Sequence, residues 1–516
     1  MSDRAILIEV DVVSPAGAAK TLRYSDRAVR PFPASAASKA NLVWDNRIIE
    51  NPTFREALFG DVLTLKPTSG YGMLTLANAD HQLDQYQGHA WGEVRVWRWT
   101  FGTPFTAAVQ VLRGVCAQPM FDPRTSAATR VRVPLFDQGA ELEKPIQTNT
   151  YAGTNGTGGV LYEGTAGGLK GRAKPLAFGN LLDAHLPAAL VNPGSFVHQL
   201  HDGAIEGAEQ IFDGGVAAGY IDDGDSANAA FDASAPSATH YRTDVGRSLV
   251  KINGSPVLGL TFGCKGDKTG GVYAETPGPV LARLLARAGV AGGQIGASVA
   301  ALASAAVVGV YAPDQVNASE LIGLVARSAL AAIVPDRNGV WQAATIAPPK
   351  PVADFPLAFD QVIDLVPEDA TPPIGEIRVG WGKVYTTFTS TELKPTIRNT
   401  VTETQLGQEY RYAVLADAAV KGRFPKTWQT LTFDTALRQE AAATALAAQL
   451  QALFGLRADG SPRRMWRATV ELTDAALALQ LGSTVGLDYP PLGISENFLL
   501  VGRDLMRPRR DQALWT

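Results

Sequence analysis

The chain has little of what catalytic and secreted scaffolds are usually built from. Cysteine occurs twice in 516 residues, at Cys116 and Cys264. Two distant cysteines make no disulfide scaffold, and both are expected as buried thiols. Histidine occurs six times, at His81, His89, His185, His198, His201 and His240. Only His198 and His201 stand close together, beside Asp202. Zinc takes three or four ligands, so no metal site is expected there. Charge is sparse as well, at 19% of residues with a net charge of -4. Such a balance draws no polyanion, and no specific nucleic acid is expected as a partner. The longest apolar stretch, 291–311, is mostly Ala and Val and is broken by Gly292, Gly293, Gln294, Ser298 and Ser304. Membrane spans need about 20 strongly apolar residues. The stretch therefore reads as packed protein, with no membrane contact in the free protein. The opening Met1-Ser2-Asp3-Arg4 is polar, and Glu9 and Asp11 interrupt the residues that follow, so no signal peptide is expected.

Sequence motifs for chemistry are also missing. The run from Gly263 to Gly270 superficially matches a phosphate-binding loop, but Asp267 separates Gly266 from Lys268 and would repel phosphate. No Gly-x-Ser-x-Gly elbow is present. Asp213, Asp222, Asp223 and Asp225 offer carboxylates for a hard cation, yet the spacing of a calcium-binding helix–loop–helix is absent. A solvated acidic turn is the expectation, with a weak calcium site near Asp222–Asp225 left open. Paired carboxylates for glycoside hydrolysis assemble from distant positions and leave no local trace, so they stay open too. The resulting expectation is no catalytic residue, no cofactor and no metal.

Turn formers are abundant instead. Fifty-one Gly and 32 Pro are spread along the whole length, which favours many short strands over long helices. A chain of 516 residues exceeds a single core, so several domains are expected. The fold class is read as mainly β with α+β insertions, multidomain. The first segment, 1–130, is β-rich, with strands over 5–13 and 93–101. In the latter, Val94 and Val96 face one way and Arg95, Trp97 and Trp99 the other, so it is expected to be covered on both sides. The stretch 63–77 ends in the alternating Leu74-Thr75-Leu76.

The second segment, 131–275, is β-rich with a glycine-rich excursion over 151–171. Residues 248–262 read as a hairpin around Asn253-Gly254. The third, 276–355, is a small α+β unit. Thr276 and Pro277 open one helix, and Asn317 with Glu320 forms a capping box for the next. Pro348, Pro349 and Pro351 mark its end. The fourth, 356–516, is β-rich with one long helix capped by Asp434 or Thr435 and ending at Phe454, where Gly455 suits a left-handed cap. Arg503, Arg507, Arg509 and Arg510 alternate with Asp504 and Asp511, a mixture that suits salt-bridged packing or a subunit interface.

Four stretches, in order, carry a resemblance. They are Gly72 to Asp84 with Trp91-Gly92-Glu93-Val94; Lys174 to Gly215; Asn317 to Ile346; and Asp434 to Trp515. In turn placement and apolar positions they resemble the tail-tip or baseplate hub proteins of long-tailed, siphovirus-like bacteriophages and gene-transfer particles. The resemblance implies a structural virion protein with β-barrel-like hub domains around a channel, and no catalytic residues. It implies a homotrimer at the tail tip, assembled in the host cytoplasm. The implied partners are the distal tail ring and tail tube proteins and the central fibre proteins. Larger members carry a fibre-like extension, which this chain lacks after Thr516, so fibre and receptor contacts are expected from other chains. The alternative is a carbohydrate-binding or glycan-degrading tail-associated module, with Trp91, Trp97 and Trp99 stacking on sugars.

Overall fold

The computed structural model describes residues 3–60, 69–122, 129–254, 256–368, 373–457, 460–461, 463–506 and 512–516. The early part of the 63–77 stretch, and Arg507, Arg509, Arg510 and Asp511, lie outside the described residues. The chain forms two compact units, each discontinuous in sequence. Met1–Glu141, Ala332–Thr371 and Arg457–Thr516 make the first, and Leu142–Ala331 with Pro372–Leu456 the second.

The first unit is organised by a 13-stranded sheet, twelve strands along one path and Met120–Phe121 paired beside it with Arg130–Asp137. Its path begins at Val362–Pro367 and runs through Trp466–Glu471, Gln512–Trp515 and Gly502–Leu505. It continues through Ile48–Ala57, Tyr71–Ala77, Arg130–Asp137, Val109–Cys116 and Ala90–Thr100. It ends through Arg4–Val13, Ala19–Ser25 and Asp45–Asn46. Strand Gly502–Leu505 lies antiparallel to Ile48–Ala57, with Arg503 opposite Glu56. Late residues thus complete a sheet begun by early ones.

Strand Arg4–Val13 is buried along nearly its whole length because both its faces are covered. On one face Ala5 and Leu7 join Trp97, Trp99, Val29, Phe32, Trp44 and Phe105. Phe32 meets Trp99 edge-on at 5.3 Å between ring centres, and Trp97 meets Phe105 at 5.4 Å. Val94 and Val96, one residue out of phase with the tryptophans, are buried on the opposite face. The alternation over 93–101 therefore appears as the sequence pattern requires.

Glu9 follows Leu7 on the aromatic face and is only 1% exposed. Burial of a carboxylate is costly unless it is paired. Three cations surround it: Lys39 Nζ at 2.7 Å, Arg23 Nε at 2.9 Å and Arg95 Nε at 3.4 Å. Arg95 also holds Asp11 at 2.9 Å and Glu93 at 3.2 Å. The network ties three adjacent strands to the segment that carries Lys39.

The expectation of β-barrel-like hub domains is overturned. Among the described residues each sheet is an open path whose end strands pair on one side only. Closing a sheet requires its end strands to match in length and stagger. In the long sheet one end is Asp45–Asn46, a two-residue strand paired in parallel with Ala19–Ser25. The other end, Val362–Pro367, is bulged between Val362 and Asp364 and stops at a proline. Neither can serve the other as a partner. The fold is mixed and β-rich, with several open sheets.

The second unit holds two five-stranded sheets. One follows the order Val216–Ala217, Ile205–Asp213, Leu260–Asp267, Leu176–Leu186, Gly309–Ala312. The other runs Ala189–Asn192, Val197–Gln199, Leu249–Asn253, His240–Asp244, Ile221–Asp225. The hairpin expected over 248–262 does not form. Leu249–Asn253 and Leu260–Asp267 belong to different sheets. Apolar partners on each side outweigh the local turn preference: Leu249–Asn253 lies between Val197–Gln199 and His240–Asp244, and Leu260–Asp267 between Ile205–Asp213 and Leu176–Leu186.

Helices Pro277–Arg287 and Ala318–Arg327 start after Thr276 and Asn317, as expected, but neither cap side chain bonds the helix. The capping box of Asn317 and Glu320 is therefore not made. The long helix is Glu440–Phe454, and it begins five residues later than Thr435. The intervening backbone is used elsewhere, with Ala436 N donating to Ser328 Oγ at 2.9 Å and Arg438 N to Val307 O at 3.0 Å. Gly455 has φ -70° and ψ 178°, an extended and not a left-handed conformation.

Replacing Glu9 by alanine is expected to lower stability by roughly 3 to 5 kcal/mol, since it leaves three cations around an empty position. Urea unfolding of Glu9→Ala and of the isosteric Glu9→Gln will measure it. An effect under about 1 kcal/mol would show that the network is dispensable.

Candidate functional site

Side chains with chemical potential are each engaged by the chain itself. Trp91, Trp97 and Trp99 are 7%, 8% and 6% exposed. Trp91 Nε1 donates to Tyr86 O at 3.3 Å, and Trp99 Nε1 to Thr103 O at 3.0 Å. Their ring faces are covered by protein, so none is free to stack on a sugar.

His198 and His201 flank the end of strand Val197–Gln199 but do not converge. The His198 ring packs on Phe262 at 4.9 Å. His201 Nδ1 accepts from Ala177 N at 2.9 Å, which leaves the ring proton on Nε2, 3.5 Å from Asp267 Oδ1. Asp267 in turn accepts from Thr269 Oγ1 at 2.6 Å and from Arg283 at 2.9 Å. The run that superficially matches a phosphate loop is thus a corner held by a His–Asp–Arg chain. Among the described residues no group of three or more His, Cys, Asp or Glu is placed to hold a metal ion.

The four aspartates of the acidic region are also separate. Asp213 accepts from Leu258 N at 2.9 Å and pairs with Lys394 at 3.2 Å. Burial pushes its carboxyl up, but these donors outweigh that and hold it below the usual range. Asp223 meets His240 Nδ1 at 2.7 Å, Asp222 accepts from Gly224 N at 2.8 Å, and Asp225 from Val245 N at 2.9 Å. Residues Ile221–Asp225 form an edge strand, where a solvated turn was expected. Cys116 and Cys264 are free and buried, and burial pushes both thiols up to about 12.

The glycine-rich excursion is anchored. Tyr151 is buried, and its hydroxyl donates to Gln199 Oε1 at 2.7 Å. Leu169 joins the same cluster. Gly164 N donates to Val191 O at 3.1 Å, and Asn192 Nδ2 to Leu161 O at 3.0 Å. The excursion thereby covers the outer edge of strand Ala189–Asn192. Tyr151 and Leu169, set among the glycines, are the sequence signal for this packing. Arg503, the described member of the terminal arginine group, is buried and bonds Glu56 and, at 2.7 Å, Leu479 O.

Within the segment read as β-rich over 356–516, three strands form a sheet in the second unit. Ile374–Trp381 lies at its centre, antiparallel to Arg411–Ala416 and parallel to Gln429–Asp434. Ile377, Val379, Ala413, Leu431 and Phe433 are buried on one face, with Ala443, Leu446, Ala447 and Leu450 of the long helix buried nearby. On the other face Tyr412 hydroxyl donates to Asp434 Oδ1 at 3.2 Å across Gly380. A Cβ at Gly380 would come within 2.7 Å of that same oxygen, so the contact requires glycine. Val414, Thr430 and Thr432 are exposed. Elsewhere in this unit, Leu161, Leu190 and Phe196 are exposed apolar side chains, Phe196 with φ 47°.

Buried titratable groups give the two units opposite responses to acid. Desolvation lowers His185 and His198, both in the second unit, to about 4. An unfolded histidine titrates near 6.5. As pH falls from 6.5 towards 4 the unfolded chain takes up protons that the folded one refuses, so stability is lost at about 1.4 kcal/mol per pH unit per imidazole. Asp137 in the first unit runs the other way. Desolvation pushes its carboxyl up to about 7, despite donation from Gly70 N at 2.6 Å and Gly139 N at 2.8 Å. Between pH 7 and about 4 the folded state keeps a proton that the unfolded state has lost, and stability rises as pH falls. Hydrogen exchange at pH 7 and pH 5, corrected for intrinsic rates, is expected to show protection falling in Leu176–Leu186 relative to Arg130–Asp137. His198→Phe should remove roughly a third of that difference, since His185 and Asp137 supply the rest. Equal pH dependence in the two strands would contradict the assignment.

No family model and no curated protein matches this chain. Among solved structures it is similar to the tail protein from Neisseria meningitidis MC58, at 11% identity over 98% of this chain and 95% of that one, with a TM-score of 0.40. It is similar to the 43 kDa tail protein of prophage MuSo2 from Shewanella oneidensis, at 10% identity over 98% and 96%, with a TM-score of 0.38. It is also similar to prophage tail protein gp18 from Listeria monocytogenes EGD-e, at 9% identity over 98% and 94%, with a TM-score of 0.34. The chain is thus a distant structural match to phage and prophage tail proteins.

Proposed function

We propose that the chain is a structural component of a phage-type tail tip: a homotrimeric baseplate hub that links the tail tube and distal tail ring to the central fibre. The observation that carries a structural reading is the fate of its reactive groups. The paired histidines, the Asp267 corner, the acidic strand and the tryptophans are all bound or packed within the chain. Among the described residues the outer edges of Arg411–Ala416 and Gln429–Asp434 are left unpaired, which suits assembly. The ordered resemblance of four sequence stretches supports the hub position, and with it the virion tail tip as location. A sugar-binding role draws no support from Trp91, Trp97 and Trp99, since all are buried.

Sedimentation velocity of the purified chain, alone and with the distal tail ring protein, tests this reading. The expected species contains three copies of the 54.6 kDa chain. Imaging of intact particles should place those copies around the tail axis. A 54.6 kDa species in both samples, with no copies at the tail tip, would overturn the proposal.

A further inference from the structure

We infer that the three-stranded sheet of the second unit continues from one copy of the chain into the next, the outer edge of Arg411–Ala416 pairing with the outer edge of Gln429–Asp434 in a second copy. This deepens the hub reading and takes from it only the number of copies, three.

Six other sheet edges among the described residues are blunted, and a seventh, Ile494–Leu499, carries Glu496, which pairs with Arg457. An unpaired strand edge templates association, and proteins blunt edges by charge, proline, bulges, shortness or cover. Ile221–Asp225 carries three aspartates. Ala189–Asn192 is covered by the glycine-rich excursion. Asp45–Asn46 and Val216–Ala217 are two residues long. Val362–Pro367 is bulged and ends in proline, and Phe355–Leu357 has Pro356 at its centre.

Arg411–Ala416 and Gln429–Asp434 are neither short nor broken by proline; each carries a single charge, at its end, and the one register shift in their pairing lies at the start of the central strand, between Ile374 and Glu376. Each runs six residues without Pro, Gly or Lys. Tyr412 and Val414 on one, and Thr430, Thr432 and Phe433 on the other, favour the strand state. Val414 is 56% exposed. Among the described residues each of the two strands pairs only with Ile374–Trp381. An assembly that left both open would expose two aggregation-prone edges per copy.

The two edges fit each other. One outer strand is antiparallel and the other parallel to the central strand, so the outer strands oppose one another. A second copy set alongside in the same sense therefore meets the first in antiparallel pairing. Side chains alternate with period two, so only registers that match faces are allowed. Placing Val414 opposite Thr432 of the next copy puts Leu415 opposite Leu431 and Ala413 opposite Phe433 on the helix-covered face. Tyr412 then stands opposite Asp434 on the open face. Antiparallel pairing also brings the Arg411 end of one edge to the Asp434 end of the other, joining opposite charges. The contact is head-to-tail, and such contacts leave no free edge once the copies close into a ring.

The test is a cross-link. Within one chain Val414 and Thr432 both lie opposite Arg378, on either side of the central strand. They are two strand spacings apart, about 9.6 Å. A disulfide needs Cα atoms within about 7 Å, so a bond between them must join two copies. Both native cysteines are buried and stay out of the reaction. The full-length double variant Val414→Cys/Thr432→Cys, mildly oxidised, is expected to give linked species ending at three chains on a non-reducing gel. Neither single variant should link.

A dimer from Val414→Cys alone would mean that the strand pairs with itself and would overturn the inference. A sedimenting trimer without links would overturn the edge pairing and leave the hub reading in place. A monomer without links overturns the pairing as well. A ladder running past three chains would support the pairing and overturn the copy number. In an independent arm, Val414→Lys should shift the sedimenting species to monomer with unchanged far-ultraviolet circular dichroism; an unshifted trimer counts against the edge.

Discussion

The first unit depends on one backbone pairing, that of Gly502–Leu505 with Ile48–Ala57. Without it, the long sheet separates into an early half and a late half, each with a raw edge. The pairing is locked by Arg503, a buried guanidinium that bonds Glu56 across the two strands and Leu479 O beyond them. Loop-closure entropy grows only slowly with length, so joining residues this far apart in sequence costs roughly 3 kcal/mol more than closing a loop of about 10 residues. That is why a chain can leave a sheet, build another unit from Leu142–Ala331 and Pro372–Leu456, and return.

Much of the local structure was legible. The alternation of Val94 and Val96 with Trp97 and Trp99 gave a strand covered on both faces, and it is one. Thr276 and Asn317 stand immediately before their helices. The failures came where a strong local signal met a stronger distant one. Asn253-Gly254 favours a hairpin, yet the strands on either side find apolar partners in separate sheets. Asp434 and Thr435 can cap a helix, but Thr435 Oγ1 bonds Gly380 O at 2.6 Å and the helix starts later. The barrel expectation came from resemblance alone, and the lengths of the end strands contradict it.

The functional surfaces were less legible for a physical reason. Sequence motifs report side chains, and here the side chains that suggested chemistry are spent on internal bonds or on packing. His201, Asp267 and Arg283 come together only because Leu260–Asp267 ends beside helix Pro277–Arg287. An unpaired edge is a property of backbone and of everything that fails to cover it. No local pattern in Arg-Tyr-Ala-Val-Leu-Ala marks it as an edge and not a central strand. The fully buried Glu9 was equally silent, since its three cations come from positions 23, 39 and 95.

The return of the chain to Ile48–Ala57 also has a consequence in time. On a ribosome the strand emerges early, but its neighbour Gly502–Leu505 is made about 450 residues later. At ~5–20 residues per second, that edge waits for on the order of half a minute to a minute and a half. For that interval a nascent chain carries half a sheet, with Phe54 and its neighbours ready to pair with any passing strand. Exposed edges of that kind are what chaperones cover in a growing chain, so the order of synthesis sets when this sheet becomes safe from mispairing.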